Sequence, residues 1–411
     1  MPIGVGVYKK VSLKKQTAVK TIAPAGAGGT AQYQRRVTST IDPKKATFQS
    51  AEILTSQQRR DFRHGVKSVA GSLSQELSVG GHQKQFEAVL RAAAVSPATT
   101  GAITNVTAAA TTGAAGTFTR AAGSFLTDGF QIGDVINSTG WATTGVPNNN
   151  HYSVVTGVTA LVLTVLMLDN VAVGPKASGD SVTIVEVGKK VFVPQSGHTR
   201  DYFTIEHWHS DIAQSEVFKD CVFTGANINV PPNGMATVEF PVMGLDAQFG
   251  TAEYFTTPAT EPTGGITAGL NGALLVDGVS VANITSAVIN INGNYAVPGG
   301  VIGTDVDPDV FPGVLEVTGT VTVLFQDAVM RDKFWNEQVG SIVLVLVDGK
   351  TAAPGFTSIV MPKVKFGGAD KSDGQQGISL TMPFTALENT AGGAALASLA
   401  TTISIQDSAF A

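Results

Sequence analysis

The sequence is poor in charge, has a single cysteine and lacks a long apolar run. Only 14% of its 411 residues are Asp, Glu, Lys or Arg, against roughly 25% in an average soluble protein. A surface with so few charges is typical of a protein that other subunits cover. Because Cys221 stands alone, no intrachain disulfide can form, and a reducing cytoplasm is the natural place of synthesis.

Membrane insertion and secretion are not indicated either. The longest largely apolar run, from Ala160 to Leu168, is far shorter than the ~20 residues of a transmembrane helix. The N-terminus lacks the basic-then-apolar order of a signal peptide. We therefore predict no membrane partner.

Motifs of catalysis and metal binding are missing or incomplete. There is no G-x-S-x-G motif, and no Gly-Lys-Ser/Thr follows the AGAGG stretch. His207 and His209 share a strand face, as in some zinc sites, but no third ligand follows at a nearby spacing. Asp305, Asp307 and Asp309 alternate as in a calcium loop that lacks its Gly and closing Glu. We predict no enzyme, no metal site and no cofactor.

Charge is divided unequally along the chain. Residues 1–67 hold 13 Lys and Arg against 3 Asp and Glu, a net of +10, and the remaining residues hold 14 against 29, a net of −15. A basic arm could contact nucleic acid, but only Tyr8 is interleaved among its lysines. Docking of the basic segment on an acidic neighbour of its own kind fits both observations better.

One strand-then-helix pattern occurs twice. It reads VKSVAGSLSQELSVGGHQKQFEAVLRA in the first copy and VLEVTGTVTVLFQDAVMRDKFWNEQV in the second. In both copies apolar residues alternate with small or hydroxyl residues, which predicts a strand with one buried face and then a short helix. A gap-free offset of 248 superposes the apolar positions: Val69 on Val317, Leu73 on Val321 and Phe86 on Phe334.

A second match turns this repeat into a plan for the whole chain. Residues 221–246 align without gaps on residues 363–388 at an offset of 142. This alignment places Val222 on Val364, Gly225 on Gly367 and Pro241 on Pro383. The offsets differ by 248 − 142 = 106 residues, so we predict a tandem duplication whose first copy carries an insertion of that order. Short strands with turn signals fill the insertion, which favours a small β-barrel or sandwich.

These patterns predict a mainly β protein with two tandem sandwich or barrel modules, a short helix beside each, and an inserted small β-domain. The predicted segments are an extended basic arm at 1–34, a first module at 35–91 and 201–250, the inserted domain at 92–200, a linker at 251–272, a second module at 273–388 and a C-terminal arm at 389–411.

Several stretches of the first module carry a resemblance to a known family. They are RRVTSTIDPKKATFQSAEI, QQRRDFRHGVKSVAGSLSQELSVGGHQKQFEAVLRA, the inserted GFQIGDVI segment and FKDCVFTGANINVPPNGMATVEFPVMG. Together they resemble the tail tube (major tail) proteins of long-tailed bacteriophages over most of residues 35–250. Residues 285–388 resemble the same fold again, so the chain is similar to a duplicated version of the tail tube fold.

The resemblance implies a structural virion protein. In that family a β-sandwich or barrel with a flanking helix forms rings of six, the rings stack into a tube, and the lumen conducts genomic DNA during ejection. Two folds per chain imply a ring of three chains with pseudo-sixfold symmetry, with a ring of six chains as the alternative. The implied partners are the chain itself, other tail proteins such as tape measure, tip and terminator, and double-stranded DNA in transient passage. The implied location is the virion tail, after assembly in the host cytoplasm.

Two sets of candidate site residues follow. Since a cation in the bore would bind DNA phosphates, the polar strand faces are the candidates for the lumen: Ser68, Ser72, Ser74, Glu76, Glu316, Thr318, Thr320 and Thr322. The opposite faces are expected to pack against the helices. Arms and loops tie the rings together in the family, so cations near the N-terminus are the candidates for inter-ring contacts: Lys9, Lys10, Lys14, Lys15, Lys44, Lys45, Arg59 and Arg60.

Two other functions compete with the tube. A β-rich surface or adhesin-type virion protein without tube formation would predict exposed aromatic patches, and an enzyme on a β-scaffold would require a convergent polar site. For the tube, we expect the inserted domain on the outside, because ~100 residues do not fit in a bore that passes a duplex whose major groove alone is ~12 Å wide. Excision between Pro97 and Gln195 is then expected to leave tube formation intact.

Overall fold

The computed structural model describes residues 3–26, 30–142, 148–281, 284–326, 328–372, 377–393 and 396–411. The last three residues of the AGAGG stretch lie outside these ranges. The prediction of a mainly β protein is confirmed, with three short α-helices in the described ranges. None of these helices is long and apolar enough to cross a membrane.

The secondary structure falls into three runs along the chain. The first contains β1 (Lys9–Lys15), β2 (Gln32–Tyr33), β3 (Thr38–Ser39), β4 (Asp42–Gln49), β5 (Phe62–Glu76) and α1 (Gln83–Leu90). The second contains β6 (Thr99–Ile103), β7 (Val106–Ala110), β8 (Ala115–Arg120), α2 (Phe125–Asp128), β9 (Val135–Thr139), β10 (Tyr152–Val158), β11 (Val162–Met167) and β12 (Val182–Glu186). The third contains β13 (Lys189–Phe192), β14 (Phe203–His209), β15 (Gln214–Phe223), β16 (Gly225–Val230), β17 (Thr237–Gly244), β18 (Asp246–Gly250), β19 (Ala273–Val276), β20 (Val279–Ser280), β21 (Ile284–Asn292), β22 (Glu316–Leu324), α3 (Val329–Trp335), β23 (Val339–Val347), β24 (Phe356–Phe366), β25 (Asp370–Lys371), β26 (Ser379–Ala386) and β27 (Ser404–Asp407).

Eight strands form a continuous antiparallel array in the order β4, β5, β17, β16, β21, β22, β26, β25. β3 extends β4 along the same edge of β5. We call this array the polar sheet, because polar side chains line one of its faces. Four of its strands precede residue 250 and four follow it. β16 and β21 join the two groups through six opposed pairs, from Gly225 with Asn292 to Val230 with Ala287.

The two groups of strands repeat the same pairing register. Val69 of β5 lies opposite Gly244 of β17, and Val317 of β22 lies opposite Ala386 of β26. These four residues are related by the offsets of 248 and 142 that the sequence shows. β3 and β4 also match β21 at the offset of 248, since they pair with β5 as β21 pairs with β22. The repeat in the sequence is therefore a repeat of strand pairings.

One part of the gap-free alignment is wrong by a residue. In the first copy Asn227 lies opposite Glu239. Glu239 corresponds to Thr381 at the offset of 142, and the residue opposite Thr381 is Asp370. This pairing matches β16 to β25 at an offset of 143, while β17 and β26 keep the offset of 142. The chain between these strands is one residue shorter in the second copy, and a gap-free alignment cannot contain that deletion. The corrected matches are Phe223 with Phe366, Gly225 with Gly368 and Ala226 with Ala369.

The main core lies between the apolar face of the polar sheet and a second layer of strands. The second layer contains β1, β14, β15 and β18 over the first group, and β19, β23, β24, β27 and β13 over the second. The alternating apolar residues of β5 and β22 are buried in this core. Phe86 of α1 is buried there and meets Phe240 edge-on at 5.4 Å, whereas Phe334 of α3 is only partly buried.

Arg91 ties the first helix to the second half of the chain. It ends α1 in the left-handed conformation, with a φ of 59°. Its guanidinium donates hydrogen bonds to the carbonyl oxygens of Gly313 and Gly293, both at 2.8 Å. Arg91 is also largely buried, so these bonds replace the water that the charge would otherwise hold.

The inserted strands form a separate antiparallel sheet in the order β6, β12, β9, β10, β11, β8, β7. The sheet has a core of its own around Phe118, Phe125 and Phe130. Ser124 caps the N-terminus of α2, where its side chain accepts a hydrogen bond from the amide of Thr127. These strands lie within residues 92–200, where the inserted domain is expected from the sequence.

β23 is the strand on which the inserted sheet docks. Its alternate residues Ile342, Leu344 and Leu346 belong to the main core. The residues between them face the inserted sheet, where a smaller core unites Val343, Val345, Val347, Phe356, Val360, Leu275, Val135 and Val154. β23 is therefore buried on both faces, which explains its continuous apolar sequence.

Both ends of the chain, expected as arms, take part in the large sheet. β1 pairs with β14 over seven residues, because Val11 and Leu13 bury one face of the lysine-rich strand. At the other end β27 pairs with β13 and β24, and Phe410 is buried. Short apolar faces are enough to dock both segments on the core.

Candidate functional site

The eight strand residues expected at the lumen lie on one face of the polar sheet. Residues that lie directly opposite each other in a sheet point to the same side. One such row crosses the sheet through Thr38, Ser74, Glu239, Asn227, Asn290, Thr318 and Thr385. This row joins Ser74 of the first copy to Thr318 of the second. Glu316 and Thr318 are exposed and the other six candidates are half-buried.

Further polar residues on this face were missed by the sequence reasoning. The sequence shows that polar and apolar residues alternate in β17. Only the fold shows that β17 lies between β5 and β16. Across the described pairings of the polar face, as far as the bulge between β4 and β5, the charged residues are Asp42, Lys44, Glu76, Glu239, Glu316, Asp370 and, opposite Thr385, Lys365 of β24. Five carboxylates against two lysines give these paired positions a net charge of −3.

The four candidate lysines of β1 make contacts within their own chain. Lys14 is 4% exposed, and its ammonium donates hydrogen bonds to the carbonyl oxygens of Pro24 at 2.8 Å and Gly26 at 2.9 Å. Lys15 forms an ion pair with Asp201 at 2.7 Å. The other two are Lys9, whose Nζ donates to the Ser39 carbonyl, and Lys10, which lies over the Tyr33 ring.

The remaining candidate cations lie on an exposed hairpin. Every residue of β4 is exposed, including Lys44 and Lys45. Arg59 and Arg60 belong to the exposed connection between β4 and β5, where the Arg59 guanidinium donates to the side chain of Gln49. This hairpin is the most accessible of the basic segments that the sequence analysis singled out.

The histidine pair is part of the packed fold. His207 is fully buried with Nε2 at 2.8 Å from the Ser39 hydroxyl. Burial lowers the pKa of His207 to about 4, although the neighbouring Glu216 carboxylate opposes this shift. His209 lies 3.9 Å from the same carboxylate. In the described ranges no group of three or more His, Cys, Asp or Glu side chains is arranged to hold a metal ion.

The alternating aspartates connect the two halves of the chain. Asp305 forms an ion pair with Lys67 at 2.9 Å. Asp309 accepts hydrogen bonds from the Tyr202 hydroxyl at 2.6 Å and from Arg200 at 3.0 Å. These partners are all protein side chains of the first half, so the acidic turn acts as a structural link.

The comparison with known families agrees with the repeated polar sheet. A family model described as phage tail tube protein matches residues 9–386. The chain belongs to that family. The match runs through the first half, the inserted sheet and the second half, so the tail tube chain is a member over nearly its whole length. No curated protein matches it.

Membership settles the broad role of the tail tube chain. It is a structural protein of the virion tail that assembles with its own kind and with other tail components. A structural family also indicates a role other than catalysis. The resemblance stated from the sequence is therefore confirmed, and the family favours a tube over the adhesin-type alternative.

Proposed function

We propose that three copies of this chain close into a ring and that the rings stack into the tail tube, with the polar face around a lumen that conducts genomic DNA during ejection. The observation that carries this proposal is the continuous polar sheet, in which one chain contributes the same four-strand arrangement twice with the same register. We take its two halves as the two tube modules, with the boundaries expected from the sequence.

The width of a closed sheet supports three chains per ring. Eight strands from each of three chains make 8 × 3 = 24 strands. At ~4.8 Å between neighbouring strands, the circumference is about 115 Å and the distance across between backbones is about 37 Å. This leaves room for a duplex inside the side chains, whereas two chains would give a bore a third narrower.

The charge of the polar face supports a conduit that does not hold DNA. Each lysine or arginine on such a surface would bind a phosphate and release a counterion. The face instead carries five carboxylates and many hydroxyl and amide groups against two lysines in its described pairings, Lys44 and Lys365. DNA then passes without specific binding.

The outer side of the molecule supports the other parts of the proposal. The inserted sheet packs on the side of β23 turned away from the polar sheet, which supports a position outside the proposed tube. We assign ring-to-ring contacts to the exposed hairpin with Lys45, Arg59 and Arg60, since Lys44 lies on the polar face and Lys14 is hydrogen-bonded inside its own chain. Tape measure, tip and terminator proteins are proposed as the other partners, with assembly in the host cytoplasm.

Electron microscopy of the purified protein tests the proposal. We expect rings or tubes with threefold symmetry and six similar lobes around the bore. A reconstruction with six whole chains in a ring would contradict the stoichiometry. A protein that forms neither rings nor tubes under any assembly condition would contradict the tube itself.

A further inference from the structure

Within the described ranges, the two outer strands of the polar sheet each have one neighbour fewer than their counterparts inside the chain. β16 pairs with β17 on one side and with β21 on the other. β25, its counterpart, pairs with β26, and the described pairings give it no second strand. β3 and β4, the counterparts of β21, likewise pair only with β5 among the described residues. The chain thus ends in two half-paired edges that match the two sides of its own internal junction.

We propose that β25 of one chain pairs with β3 and β4 of a second copy, in the register of the β16–β21 junction. This inference rests on the proposed ring and specifies how the ring closes. Adding 143 to each residue number of β16 gives the matching residue of β25, and subtracting 248 from each residue number of β21 gives the matching residue of β3 or β4. The pairs of the junction thus become pairs between chains. They place Gly368 opposite Lys44, Ala369 opposite Pro43, Asp370 opposite Asp42 and Lys371 opposite Ile41.

A glycine supplies an independent argument. A Cβ at Gly225 would lie 2.2 Å from the carbonyl oxygen of Ile291, so only glycine permits the close approach of β21. At the matching Gly368, a Cβ would meet Pro383 at 3.4 Å and the Asp370 carboxylate at 3.9 Å, both ordinary contacts within its own chain. Nothing inside the chain requires glycine there. In the proposed pairing the carbonyl of Pro43 from the next chain takes the place of the Ile291 carbonyl. A side chain at position 368 would then clash with that carbonyl, which explains the glycine.

The seam between chains differs chemically from the internal junction. Asn227 and Asn290 face each other in the junction, whereas two carboxylates, Asp370 and Asp42, face each other in the seam. Opposed like charges destabilise a strand pair. Lys44 is opposite Gly368, which has no side chain, so its ammonium has room to reach both carboxylates. Pro43 also removes one donor from the ladder. The seam is therefore weaker than the junction and depends on Lys44.

Disulfide trapping tests the register. Gly293 donates to the Thr224 carbonyl at 2.8 Å, so the alternating ladder makes Asn227 and Asn290 a non-hydrogen-bonded pair, whose Cα separation of ~4.5 Å suits a disulfide. The variant Asn227→Cys/Asn290→Cys should form its bond within one chain. Asp42→Cys/Asp370→Cys should link neighbouring chains in assembled tubes and give a covalent trimer. The native Cys221 is buried and burial raises the pKa of its thiol, so it does not interfere.

A displaced pair and a glycine variant complete the test. Asp42→Cys/Lys371→Cys places one thiol on the opposite face and should link at least tenfold less. Gly368→Ala should leave the monomer folded but reduce tube yield at least tenfold, whereas Gly349→Ala, with nothing within 4 Å of the added Cβ, should assemble normally. Intact tubes without a link between positions 42 and 370 would overturn this inference and leave the tube standing. A wild-type chain that makes no tubes would overturn both.

Discussion

Asp407 is a buried carboxyl that holds the C-terminal strand in place. Its Oδ1 accepts hydrogen bonds from the amides of Gly80 at 3.0 Å and Ala409 at 2.9 Å, and its Oδ2 accepts one from the Thr357 hydroxyl at 2.9 Å. Burial raises the pKa of Asp407 to about 6, although the three hydrogen bonds oppose the shift. The native protein therefore prefers this carboxyl in its protonated form at mildly acidic pH.

The variant Asp407→Asn should change the pH dependence of stability. Below the unfolded pKa of 3.8 both states of the wild type hold the proton, and the contribution of this carboxyl to stability is fully present. As pH rises to about 6, only the native state still favours the proton, so the group's contribution is lost, on the order of 2–3 kcal/mol for a two-unit shift. The asparagine does not titrate and keeps the amide contacts. Urea unfolding between pH 4 and 7 should show the free energy of unfolding of the variant rising relative to that of the wild type as the pH increases. The same pH dependence in both proteins would contradict this.

Two threonines of the polar face test the conduit. The variant Thr318→Lys/Thr320→Lys should still form tubes, since Thr318 is exposed and Thr320 half-buried, but it should slow DNA ejection from complete particles because lysines bind phosphate. The control Thr318→Glu/Thr320→Glu has long side chains of the opposite charge and should eject at the normal rate. If both variants eject alike while their tubes are intact, charge on this face does not govern passage.

α1 and α3 occupy equivalent positions in the two copies, but they are buried to different extents. Phe86 of α1 is 1% exposed and packs edge-on against Phe240. Phe334 of α3 is only partly buried at the margin of the same core, and its neighbour Trp335 is 78% exposed. The same sequence position therefore fills the core in one copy and borders it in the other.

Alanine at each position should reveal this difference. Phe86→Ala should cost about 3–5 kcal/mol, because it leaves a cavity in a packed core. Phe334→Ala is the matched control and should cost markedly less, because its ring is already partly in contact with water. Urea unfolding of the unassembled chain, followed by tryptophan fluorescence, measures both. Equal losses would mean that the second helix packs as deeply as the first.

At the scale of the whole molecule, the inserted sheet covers part of the second half. Val343, Val345 and Val360 face Val135 and Val154 of the inserted sheet in a shared apolar core. Lys190, buried at the same boundary, pairs with Asp134 at 2.9 Å and Glu186 at 3.2 Å. The structure thus argues against the expectation that the insertion can simply be cut out.

Excision between Pro97 and Gln195 should therefore produce an aggregating protein, because it exposes a contiguous apolar face on β23 and β24. A narrower excision that keeps β13, which pairs with β27 in the main layer, combined with Val343→Thr, Val345→Thr and Val360→Thr, should restore solubility and permit tube formation. Light scattering and electron microscopy separate the two outcomes. Normal tubes from the plain excision would show that the apolar boundary is tolerated without its cover.

The sequence alone determined the features that depend on local pattern. The period-two alternation of β5 and β22 predicted which of their side chains are buried, because successive strand residues point to opposite faces. The two gap-free offsets predicted the repeat, and the pairings of Val69 with Gly244 and Val317 with Ala386 follow both offsets. The polar residues predicted to act together share one face for the same reason.

Only the tertiary structure decided which segments become neighbours. No local pattern shows that β16 pairs with β21, that a one-residue deletion shifts β25, or that β23 is buried on both faces. Nor does the sequence show that Lys14 is buried while Lys44 lies opposite Ser68 on the polar face. Such contacts join residues far apart in the chain, and their partners are set by packing and loop closure. The alternation of polar and apolar residues determines to which side of a strand each side chain points. The pairing of strands that are distant in the sequence determines which residues it then contacts.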